Sequence, residues 1–172
     1  MRTFVEFNWD ASTLGDLDAH LNGPDGNGGS FHVFSGSPES IFGAKLEGDC
    51  TGSCRSEVIT IDELNAGDYR LSLFNVDATG DVSSTALTDN ASSIVMKINQ
   101  NGTLQRAANG GFRIINGTTI NQISPSPSGP GNTWIAANIN RQQFASEAEV
   151  SIVNQITTFT NGSAVTGFSS ID

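Results

Sequence analysis

Apolar and polar residues alternate with a period of two along most of the chain. Val5, Phe7 and Trp9 share one face of a first run, and Leu17, Ala19 and Leu21 share a face of a second. The runs FHVF, EVITI, YRLSLFNV, SIVMKI, GFRII, TWIAANI and EVSIVNQITTF follow, each bounded by Gly, Asn, Asp, Ser or Pro. Successive side chains of a strand point to opposite faces, so this alternation predicts half-buried strands. Asn101-Gly102, Asn116-Gly117 and Asn161-Gly162 fall between runs. Asn-Gly supplies the two positive φ angles of a tight hairpin turn. Helical spacing shows only in NRQQFASEAEV, so at most one short helix is expected near 140–150. The expected fold is an all-β, antiparallel β-sandwich of jelly-roll or Ig-like kind, with about ten strands. SPSPSGPGN at 124–132 reads as a surface loop, because proline removes ladder donors.

Composition narrows the setting. A chain of 172 residues is long enough to form one self-sufficient domain, expected over 1–172 with a C-terminal hairpin at 150–168. Only 15 % of residues are charged, so much of the surface must be neutral and polar, supplied by Ser, Thr, Asn and 19 Gly. A net charge of −10 repels phosphate backbones and anionic headgroups, which argues against nucleic-acid and membrane-surface partners. No apolar stretch approaches the roughly 20 residues that span a bilayer. Met1 is followed almost at once by FVEFNW, without a basic-then-apolar leader, so an exported protein would be present here as its mature form or as part of something longer. Cys50 and Cys54, the only cysteines, sit in DCTGSC. Five residues with a Gly can bring two Cα atoms within about 6 Å, so a disulfide is the favoured reading and free thiols the other. A disulfide implies an oxidising compartment.

Residues 15–34, GDLDAHLNGPDGNGGSFHVF, hold the densest candidate chemistry. If the second and third strands pair symmetrically about Gly26, His20 faces His32 and Asp18 faces Phe34. Directly opposed Cβ atoms lie about 5 Å apart, close enough for two imidazoles to share a transition metal. Calcium takes six to eight oxygens, and Asp16, Asp18, Asp25 and Asn27 are oxygen donors in this neighbourhood. PDGNGGS lacks the spacing of an EF-hand loop, and polar cross-strand packing with Asp-Gly turns accounts for the same residues. Catalysis finds little footing. The chain has no G-x-S-x-G elbow, no H-E-x-x-H and no phosphate-binding loop. The carboxylate pairs Glu47 with Asp49 and Asp62 with Glu63 are not singled out as an acid and a base. No catalytic residue is assigned.

GDLDAHLNGP followed by FHVF, then AKLEGD before EVITI, AGDYRLSLFNVD, and GNTWIAANI leading to SIVNQIT, resemble a bacterial secreted family, the YfaP-like domains. The likeness covers roughly residues 3–157. Members usually carry a Gly-Pro-Glu turn before the EVITI-like strand. Here CTGSCRSE stands in its place and keeps Glu57. The resemblance implies an extracellular or periplasmic all-β module with no established catalytic activity, and assigns Asp16, Asp18 and His20 no role. The expectation is a non-catalytic module of a bacterial surface or secreted protein that binds a glycan or protein ligand in adhesion. The alternative is a self-associating fibre subunit joined by terminal strand exchange, and a glycan-active hydrolase is the third reading.

Overall fold

The computed structural model describes residues 2–158 apart from positions 11, 13, 52, 53, 109 and 143–146. It is an antiparallel β-sandwich. The strands, in chain order, are β1 (Thr3–Asn8), β2 (Leu17–Pro24), β3 (Ser30–Val33), β4 (Glu39–Ser40), β5 (Ala44–Leu46), β6 (Ser56–Ile61) and β7 (Gly67–Asn75). After a helical turn α1 (Ala86–Asp89) come β8 (Val95–Gln100), β9 (Thr103–Arg106), β10 (Phe112–Ile115), β11 (Thr118–Ile123), β12 (Thr133–Arg141) and β13 (Glu149–Thr157). One sheet has the order β11-β8-β1-β6-β5-β4, the other β13-β12-β7-β2-β3, and β9 and β10 form a separate hairpin. More strands form than the expected ten. Strands β4, β5 and β9 have two to four residues, too few for a period to register, and β11 is largely exposed.

The core is built from the alternation. Val5 and Phe7 of β1, Ile59 and Ile61 of β6 and Met96 and Ile98 of β8 meet Leu17, Ala19 and Leu21 of β2, Leu71 and Leu73 of β7 and Trp134 of β12. Phe7 meets the Trp134 indole edge-on, with ring centroids 6.2 Å apart. The segment expected to be helical instead belongs to strands at both ends, since β12 runs to Arg141 and β13 begins at Glu149; positions 143–146 lie outside the described residues. So do the Asn161-Gly162 turn and the second half of the 150–168 hairpin. The 124–132 segment is a loop, held to the sheet by Asn154, whose amide donates to Ser124 O and whose Oδ1 accepts from Ser126 N and Trp134 Nε1.

Two of the Asn-Gly pairs do something other than close hairpins. Strand β8 pairs with β1 and β11, not with β9, and β10 pairs with β9, not with β11. The chain leaves β8 at Asn101-Gly102, makes the β9–β10 hairpin and returns at Asn116-Gly117 directly into β11, where Thr118 pairs with Gln100. Exit and return touch: a Cβ on Gly102 would lie 2.9 Å from Gly117 Cα. Asn101 and Asn116 both take φ of 58°, so the positive angles are used, but to turn corners. The excursion folds back over the outer face of β1. Buried Glu6 accepts from Ile114 N at 2.6 Å, and Ser56 Oγ donates to Phe112 O at 2.6 Å.

Candidate functional site

Strand β2 pairs with β7 over Leu17–Asn22, but with β3 only from Leu21 onward. Its first half therefore lacks a strand partner on the β3 side, and backbone donors there need another acceptor. Glu57, on the inward face of β6, supplies it: Oε2 accepts from Ala19 N at 2.6 Å and Oε1 from Cys50 N at 2.9 Å. One carboxylate thus ties the loop before β6 to the start of β2. That loop is further closed by a Cys50–Cys54 disulfide with Cα atoms 5.8 Å apart. Asp49, immediately before the bridged cysteine, is carried to the same end of β2.

The result is a cluster. Asp16, Asp18 and Asp49 each present a carboxylate oxygen, and these oxygens lie within 4.8 Å of one another. Asp18 is 8 % exposed and accepts from Ser35 Oγ at 2.8 Å. Asp16 Oδ1 is shut off from solvent and has no hydrogen-bond partner among the described residues. Behind the cluster, Asp77 Oδ2 accepts from Asp16 N at 3.2 Å, and the same oxygen would clash with any Cβ on Gly15. Burial, with the neighbouring Asp16 and Asp49 charges, pushes the Asp18 carboxyl up to about 6, although the Ser35 hydroxyl acts the other way. Burial, followed by the Asp49 and Asp77 charges, raises Asp16 too. Glu57 is raised well above the usual carboxylate range by burial, against its two backbone donors.

Of the four oxygen donors expected to hold calcium, the structure brings together Asp16 and Asp18. Asp25 and Asn27 lie beyond the other end of β2, about 23 Å of strand away. There Asp25 Oδ1 accepts from Asn27 N and Gly29 N, at 2.8 and 2.9 Å, and serves the turn. Asp49 completes the cluster instead. Asp49 carries no sequence signal of its own. Its position depends on the cysteine loop folding back onto β2.

The histidines do meet, but in a different register. Leu21 pairs with Val33 and Asn22 with His32, so the hairpin centres on Asn27 and slips by two residues from the symmetric pairing about Gly26. A two-residue slip keeps every side chain on its face. His20 and His32 become diagonal neighbours, with Nδ1 of one 2.7 Å from Nε2 of the other. One ring donates to the other, which uses the two nitrogens a shared metal would need. Phe34 stacks on both, at 5.2 Å from His20 and 4.3 Å from His32. Burial, aided by His32, depresses His20 to about 3, and burial depresses His32 to about 4, so both are neutral imidazoles at ordinary pH. A cleft of about 770 Å³ lies elsewhere, on the outer face of the other sheet, between Ile41, Lys45, Thr60 and Leu104.

Compared with protein-family models, curated proteins and solved structures, the chain matches none.

Proposed function

We propose that the chain is a non-catalytic, extracellular β-sandwich module that binds a glycan or protein ligand, and that calcium at Asp16, Asp18 and Asp49 fixes the end of the sandwich where the cysteine loop meets β2. The observation that carries the calcium reading is Asp16 Oδ1: a carboxylate oxygen enclosed without a donor, in a cluster with two more carboxylates. Oxygens bound to one calcium at about 2.4 Å lie at most about 4.8 Å apart, and those of this cluster fall within 4.8 Å of one another. A carboxylate in such a place needs a proton or a cation, and three together favour a divalent one. The disulfide agrees with an oxidising exterior. The resemblance to YfaP-like domains points to the same setting, and its DLDAH block contains two of the three proposed ligands.

Thermal melting in EDTA and in millimolar Ca²⁺ tests this. The midpoint is expected to rise by several degrees with Ca²⁺ in the wild-type protein. It is expected to stay put in Asp49→Ala, which removes one ligand without touching the core. An unchanged wild-type midpoint at saturating Ca²⁺ sinks the calcium reading.

Self-association stands as a second reading because of β13. Among the described residues this nine-residue strand pairs only with β12, and Ile152 and Val153 are 53 % and 36 % exposed on it. An open edge of that length is a template for a further strand. The N-terminal run favours it less, since β1 is paired on both sides, with β6 and β8. Light scattering and electron microscopy across a concentration series decide between a monomer and an edge-joined assembly.

A further inference from the structure

The outer face of the β2–β7–β12 sheet carries a second anomaly, and it is electrostatic. Leu17, Ala19 and Leu21 of β2 and Tyr69, Leu71 and Leu73 of β7 face the core, so His20, Asn22, Arg70 and Ser72 point the other way. A bulge between Ile135 and Ala137 brings Asn138 of β12 to the same face. The register then aligns His32, Asn22, Arg70 and Asn138 in one row across four strands, with His20 beside Ser72 in the next.

Arg70 is 6 % exposed, its Nε is enclosed, and among the described residues its side chain meets no ion-pair or hydrogen-bond partner. Its nearest acid along the strand, Asp68, is engaged by the Asn140 amide instead. Burial pulls the Arg70 pKa down. Around it, Asn22 Oδ1, Ser72 Oγ, Asn138 Oδ1 and His20 Nε2 are all enclosed and also without partners among the described residues. Each orphaned polar atom costs stability, and a largely buried guanidinium without a counter-ion costs more. A protein with a net charge of −10 has carboxylates to spare, yet among the described residues none pairs with this guanidinium.

We propose that this row is a binding site for a carboxylate-bearing sugar, a uronate within an acidic glycan. The guanidinium forks onto the carboxylate, the pairing for which its planar donors are suited. The half-buried Asn138 and His32 side chains on either side of this row meet sugar hydroxyls, which both donate and accept. The half-buried His32 and Phe34 rings, stacked 4.3 Å apart, border the row with an apolar surface for sugar C–H groups. A glycan is favoured over an acidic peptide because neutral donors and acceptors outnumber the one cation. The proposal rests on the reading of the domain as a binding module, but not on calcium. Ligand binding and calcium melts therefore fail independently.

The test is calorimetric titration with a galacturonate tetrasaccharide, a neutral galactose tetrasaccharide and a Glu-rich peptide. The uronate is expected to bind, the neutral sugar at least tenfold more weakly, and Arg70→Met is expected to abolish the difference. Because Arg70→Met removes an unpaired buried charge, its melting midpoint should equal or exceed that of the wild type. If it does not fold, Arg70→Lys serves, keeping the charge but losing the fork, with at least tenfold weaker uronate binding expected. Absence of uronate binding at about 1 mM, unchanged binding in the folded Arg70 variant, or tighter binding of the peptide than of the uronate overturns the proposal.

Discussion

Gly23 shows how a single missing methyl can set a local structure. It sits on β2 opposite Phe31, and a Cβ there would lie 2.7 Å from both Phe31 Cζ and Tyr69 Cδ1. Two core aromatics close over the backbone where other residues would hold them apart. Gly23→Ala is expected to cost about 1–3 kcal/mol through overpacking, read as a lowered denaturant midpoint with an unchanged slope. The histidine pair makes a prediction of a different kind. Both folded-state pKa values lie below that of a free imidazole, so an unfolded chain takes up protons before the folded one does. The pair's contribution to stability is present above about pH 6.5 and is lost as the pH falls toward 4. Side-chain ¹⁵N spectra at pH 5 should show both rings neutral, with one proton between His20 Nδ1 and His32 Nε2. An imidazolium signal at that pH would count against the pairing.

At the scale of elements, the β9–β10 hairpin is an excursion from an otherwise continuous β8–β11 pair. Excising residues 102–116 joins Asn101 to Gly117, which restores an Asn-Gly turn between Gln100 and Thr118, already cross-strand partners. The shortened chain is expected to keep its β circular-dichroism spectrum and a cooperative melt. Its midpoint should be lower because Glu6 loses Ile114 N and the face of β1 is uncovered. Loss of cooperativity would show that the hairpin belongs to the core. This element also shows what the sequence does and does not reveal. The alternation of Val5 and Phe7, or of Leu17, Ala19 and Leu21, reports burial directly, so the sandwich is legible from it. Asn101-Gly102 and Asn116-Gly117 report only backbone angles, and the same angles serve a hairpin or a corner. Which one forms depends on pairing with β1, a strand about a hundred residues away. The candidate site divides likewise. Asp16 and Asp18 lie within one strand block and could be read together, whereas Asp49 joins them only through contacts of Glu57 with Ala19 and Cys50.

For the whole molecule, the acidic cluster couples stability to pH and to calcium together. Asp18, raised to about 6 in the fold, holds its proton more tightly there than in the unfolded chain. Without metal, its contribution is therefore fully present below about pH 4 and is lost as the pH rises through 6. Calcium reverses this, since it binds the deprotonated carboxylate. The Ca²⁺-induced rise in melting midpoint is expected to be larger at pH 7 than at pH 5. A shift of equal size at both values would exclude Asp18 as a ligand. The opposing histidine contribution cancels in the comparison with and without calcium at each pH.

The touching exit and return at Gly102 and Gly117 have a consequence for how this domain can be used. A segment that leaves and re-enters through two adjacent backbone points imposes no spacing on what lies between them. Any foreign element whose ends approach as closely, such as a peptide loop, a tag or a small folded domain, can be spliced in place of residues 103–115 without changing the register of the sheet. The sandwich then becomes a scaffold with a built-in port, on the opposite sheet from Arg70.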